Sequence, residues 1–96
     1  MEKEQSSFIF DAIIIKEMES YSALCLDVDV ASQANTIEEA KGKLSEAVSL
    51  YVESAIESNL PIIRPVPRDE NPLLQHPQDV VAAFKVNVNI NVATYV

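Results

Sequence analysis

Thr36–Ile37–Glu38–Glu39 opens the segment that most limits how this chain can fold. A threonine followed three residues later by a glutamate is a capping box. The hydroxyl of Thr36 can accept from the backbone N–H of Glu39, and the Glu39 carboxylate can reach back to the N–H of Thr36. Glu38 and Glu39 also set negative charge at the positive end of the helix dipole. From there Ile37, Ala40, Leu44, Ala47, Val48, Tyr51, Ala55 and Ile56 recur at helical spacing, an apolar stripe about six turns long. Glu38, Lys41, Ser45, Ser49, Glu53 and Glu57 fall largely off the stripe. Asn59 is suited to cap the C-terminus, and Pro61 forbids continuation soon after. A helix of this kind must have its stripe covered, and the rest of the chain has to supply the cover.

The cover is a set of strands. Phe84, Val86, Val88, Ile90 and Val92 alternate with Lys85, Asn87, Asn89 and Asn91, the pattern of a half-buried strand with one dry and one wet face. Asn is depleted in strands because it competes for backbone hydrogen bonds. The row of three either forms a polar ladder, contacts a partner, or is exposed polar decoration. Near the other end, Phe8 to Lys16 places Phe8, Phe10, Ala12 and Ile14 on one side and Ile9, Asp11, Ile13 and Ile15 on the other. Both sides are substantially apolar, which predicts a central strand or one covered on both faces. A polar turn at Glu17–Ser20 leads into a second strand, Tyr21 to Asp27, naturally joined as an antiparallel hairpin. Val30 to Gln33 reads as a short third strand.

All five prolines lie between Pro61 and Pro77. So long a connection predicts an ordered arm or a functional loop, with a short turn of helix around Pro72–Gln75. The domain reading is one unit over 1–96, with a flexible N-terminus at 1–7, a proline-rich connection at 59–79 and a final strand at 80–94. The fold class is α+β in the order β-β-β-α-β, an antiparallel-rich sheet with one long helix on a face.

Composition narrows the function classes. A single glycine, Gly42, excludes glycine-rich phosphate loops, which need several. The formal net charge is −8, from 15 acids against 7 basic residues. Lys3, Lys16, Lys41, Lys43, Arg64, Arg68 and Lys85 are scattered, so direct nucleic-acid binding by this chain alone is not expected. An acidic surface suits solubility, and it suits a basic protein partner. One cysteine, Cys25, excludes an intramolecular disulfide and a Cys-rich metal site. MEKEQSS lacks the apolar core of a secretory signal, and no apolar run approaches the ~20 residues that span a bilayer. The expectation is a cytoplasmic protein with no membrane contact.

Asp11, Asp27 and Asp29 could converge at strand ends as oxygen ligands for a hard cation, as in a metal-dependent nuclease. The competing reading has two acids capping a turn and a third on a solvated or partnered face. No further acidic motif at helical spacing supports metal chemistry, and no metal or cofactor is expected. His76 is the sole histidine and sits in the proline-rich loop, where a lone His is usually a surface residue. Cys25 alternates into an apolar strand and reads as a small hydrophobe. Tyr21 and Tyr51 read as core-edge residues. No catalytic residue is assigned. An unpaired edge in a domain this small recruits another chain, so a homo-oligomer is expected, through an edge or a helix face.

The element order and several residues resemble the HicB-like (UPF0150) antitoxin family. The likeness rests on Tyr21–Ser22–Ala23 in the second strand and on Ala31–Ser32–Gln33–Ala34–Asn35–Thr36 before the helix. Within the helix it rests on Glu38–Glu39–Ala40, Leu44, Glu46–Ala47 and Leu50–Tyr51. It covers about residues 8–58, roughly half the chain. Two positions depart from the family pattern: Ala34–Asn35 stands where a glycine usually follows Gln, and Ser20–Tyr21 stands for the usual Gly-Tyr. The resemblance implies a partial ribonuclease H-like fold in a stand-alone N-terminal-type domain without a DNA-binding segment. It also implies a non-enzymatic role: occluding the RNA-binding face of a small basic HicA-type mRNA interferase. The expected partner surface is Asp27, Asp29, Ser32 and Gln33, beside the helix start. An oligomeric scaffold without a toxin is the alternative, and a metal-dependent nuclease is a third reading.

Overall fold

The structure is a computed structural model that describes residues 2–94, with side chains described from 7 to 90. Its elements are β1 (Glu2–Lys16), β2 (Tyr21–Cys25), β3 (Val30–Ala34), α1 (Ile37–Glu57), α2 (Pro72–Gln75) and β4 (Val80–Thr94). The strands form one antiparallel sheet in the order β3-β2-β1-β4. The chain is α+β with the order β-β-β-α-β, as its patterning predicts.

Thr36 caps α1 from an extended backbone, its Oγ1 accepting from the Glu39 N–H at 3.1 Å. The far end closes in two turns of hydrogen bonding: Asn59 N–H donates to the Ile56 carbonyl, and Leu60 N–H to that of Ala55. Ser58 is the capping residue itself. Asn59, taken from sequence as the cap, lies one position beyond it at φ 56°. This is the left-handed residue of a Schellman motif, a role Asn tolerates better than most side chains. The buried stripe is Ala40, Leu44, Val48, Val52 and Ala55. Val52 joins it although the sequence reading omitted it, while Ile37, Tyr51 and Ile56 pack at its margin.

Gly42 lies exposed in the middle of α1, with nothing within 4 Å of where a Cβ would stand. Gly42→Ala should therefore stabilise the domain by about 0.5–1 kcal/mol, since less conformational entropy is lost on forming the helix and no contact is strained. Urea melts of the two proteins measure this directly, and an unchanged midpoint would contradict it.

The stripe meets Phe10, Ala12 and Ile14 of β1, Ala23 and Cys25 of β2, and Val86, Val88 and Ile90 of β4 in one core. Alternation along β1 sends Ile13 to the opposite face, yet Ile13 is only 1% exposed. The proline-rich connection is the reason. Arg64 N–H donates to the Asp27 carbonyl at 2.9 Å and Val66 N–H to that of Leu26 at 3.0 Å. These bonds tie the arm along the β2–β3 turn. The arm then rounds that end of the sheet, and Leu73 of α2 lines a hollow with Ile13, Leu26 and Phe84. The connection is thus an ordered arm that covers the second face of β1 at Ile13, while Ile9 on the same face stays 67% exposed.

Two strand limits differ from the sequence reading. β1 begins at Glu2, inside the 1–7 segment whose polar sequence predicts a flexible N-terminus. Every residue from Glu2 to Ile14 has a register partner on β4, whose length imposes strand structure on a polar run. β2 ends at Cys25, because Leu26 to Asp29 form the turn into β3. Asp29 takes φ 49° there. The β1–β4 register slips once, between Ile14 and Ile15, so that Ile14 faces Ala82 and Ile15 faces Val80. Val81 is the extra residue of a bulge.

Candidate partner-binding surface

The four residues singled out from sequence fall into two kinds. Asp27 Oδ2 accepts from the backbone N–H of Asp11 at 2.7 Å, which clamps the β2–β3 turn onto β1. Ser32 is half-buried on the helix side of β3, and its Oγ donates to the Ala40 carbonyl at 2.8 Å. That bond holds the first turns of α1 on the sheet. Both side chains are occupied in building the fold. Asp29 and Gln33 are exposed. Strand alternation puts Gln33 on the opposite side from Ser32, where its Nε2 donates to Ser20 Oγ at 2.9 Å.

Gln33 is not alone there. With Glu19, Ser20, Ala34, Asn35, Glu39 and Lys43 it lines an open polar groove of about 490 Å³ between the β1–β2 turn and the start of α1. Lys43 Nζ leans back to the Gln33 carbonyl at 3.5 Å. Glu19 and Glu39 face this groove, and Glu38 and Asp29 stand exposed on either side of β3 in the chain. Sequence reading reached Gln33 but missed Glu19, since nothing local ties the β1–β2 turn to the helix start. Their meeting is a consequence of the β2–β3 pairing of Tyr21 with Ala34.

The other candidate chemistry resolves into structural roles. Asp11 is ion-paired with Lys85 across β1 and β4, and this contact holds the Lys85 ammonium above its usual pKa. Asp11 and Asp27 are neighbours but each is engaged, and among the described residues no three His, Cys, Asp or Glu side chains gather as a metal-holding group. Cys25 is buried, and desolvation pushes its thiol above the ordinary range despite backbone hydrogen bonds at Asp27 and Val28 that act the other way. A thiol held protonated in this way is a poor nucleophile. Lys16 lies over the Tyr21 ring at 4.4 Å and Arg64 over the Tyr51 ring at 5.1 Å. Both tyrosines therefore act as packing platforms for cations. His76 is exposed and ends α2.

The asparagine row has a structural setting. Ser7 faces Asn89 across the ribbon and donates to its Oδ1 at 2.8 Å, and Ile9 faces Asn87. The side chain of Asn91 lies outside the described residues. Among the described residues no helix is long and apolar enough to cross a membrane. The chain matches no family model, no curated protein and no solved structure.

Proposed function

We propose that this chain is a non-enzymatic binding domain of the HicB-like antitoxin kind, which neutralises a small basic HicA-type mRNA interferase by covering its RNA-binding face. The observation that carries this reading is the acid-bordered groove at the helix start. Glu19 and Glu39 line it, and Glu38 is exposed beside Glu39 in the first turn of α1. Beside it β3 is a sheet edge of five residues. Carboxylates on the β1–β2 turn and on a capped helix present negative charge to a cationic surface, which steers association and sets register. The element order agrees with the partial ribonuclease H-like domain that the sequence likeness implies. The engagement of Asp11 by Lys85 and of Asp27 by a backbone N–H weighs against the nuclease reading.

The test is neutralisation of a small basic toxin encoded beside this gene. Wild-type chain should stop its RNA cleavage at equimolar amounts. Glu19→Lys with Glu39→Lys should weaken binding about 10–100-fold, or roughly 1.4–2.8 kcal/mol, measured by titration calorimetry. Lys at position 39 also opposes the helix dipole at a cost of up to about 1 kcal/mol, so circular dichroism of the variant checks that it is folded. The absence of any such neighbouring toxin, or undiminished cleavage in the presence of the chain, would sink the proposal. An oligomeric binding domain without a toxin is the second reading, and the exposed edge of β4 favours it.

A further inference from the structure

We infer that the outer edge of β4 is a seam along which two copies of this chain pair antiparallel about a two-fold axis, joining their four-stranded sheets into one. β4 runs 15 residues, and among the described residues its only strand neighbour is β1. At ~3.4 Å per residue such an edge is about 50 Å long, the full length of a molecule measuring 52 × 26 × 17 Å. Sheets normally blunt an edge with proline, charge, brevity or bulges. From Val80 to Thr94 there is no proline and no acid. The one charge, Lys85, is matched within its own chain by Asp11, and the one bulge sits at Val81, near the start.

Charge selects the occupant. A chain of net charge −8 repels its own copy over most of its surface, and none of its 15 acids lies on β4. This strand is where two copies approach at least cost. The other edge, β3, is five residues long and bordered by acids. Lys85, Asn87 and Asn89 are exposed on one face of β4, and amides carry both donors and acceptors. A two-fold at Asn87 would set it opposite its own copy and set Lys85 opposite Asn89. Because each copy has one such edge and the pairing is isologous, the assembly closes at two. The seam is independent of the toxin reading, since it uses the opposite side of the sheet.

Light scattering of the full chain over a range of concentrations tests it. The wild type should have the mass of a dimer. Asn87→Asp places like charges directly opposite each other at the two-fold, so the dimer should weaken at least about tenfold with an unchanged circular dichroism spectrum. Opposed residues bring Cβ atoms to about 4.5–5.5 Å, close to disulfide reach. Asn87→Cys should therefore cross-link on mild oxidation, while Asn89→Cys, about 14 Å from its own copy in this register, and buried Cys25 do not. A monomer at every concentration, an Asn87→Asp variant that dimerises undiminished, or no cross-link through residue 87 would overturn the seam. Glu19→Lys with Glu39→Lys should leave the mass unchanged, and a monomer from that variant would place the contact elsewhere and overturn it too.

Discussion

Ile14→Ala is expected to destabilise the domain by about 3–5 kcal/mol, enough to lower its melting temperature by roughly 15–30 °C. Ile14 is fully buried in the strand with a neighbour on each side, and it belongs to the core cluster that holds Leu44, Val48 and Val52 of the helix. Truncation removes apolar contact and leaves a cavity that neither a regular strand nor a long helix can easily collapse into. It also replaces a β-branched residue by one with less strand preference. Against a total stability of about 5–15 kcal/mol for a domain of ordinary size, that loss is a large share. Thermal unfolding followed by circular dichroism reads it. A shift of only a few degrees would mean that the helix does not close over the sheet as described.

Ile13→Asn should cost about as much, and for a different reason. A strand with one face in water would tolerate Asn at an outward position for well under 1 kcal/mol. Here the outward side chain is buried at 1% exposure beneath an arm that brings Leu73 into the same hollow. The substitution loses about 2–3 kcal/mol of apolar burial and strands an amide without a partner, at a further 1–3 kcal/mol. Leu73→Asn, at a position 44% exposed, should cost about 1 kcal/mol and make the arm more open to proteolysis between residues 67 and 79. Equal and small effects at both positions would mean that the arm does not cover this face.

Much of this arrangement was legible in the residues. The capping box at Thr36, the apolar stripe, the alternation after Phe84 and the two-faced pattern of β1 each follow from local rules of spacing, and each appears as an element. What escaped was decided by contacts distant in sequence. Glu2 to Ser7 is polar and carries no strand pattern of its own, but β4 pairs with it throughout. Asp27 and Ser32 looked like free polar groups near a helix start. Their partners, the Asp11 N–H and the Ala40 carbonyl, come from other elements and could not be read from neighbouring residues. The groove around Gln33 escaped for the same reason, because Glu19 reaches it only through strand pairing.

On these proposals the two edges of the sheet do different work: the acid-bordered β3 side meets a basic partner, and the acid-free β4 side meets a second copy. Amide hydrogen exchange of the chain, alone and with the small basic toxin, tests that division most directly. Added toxin should slow exchange in residues 29–43 and at the turn around Glu19, and leave 80–90 unchanged. Raising the concentration of the chain alone should slow exchange in 80–90 and leave 29–43 unchanged. Toxin-dependent protection confined to β4, or no protection at the helix start, would contradict it.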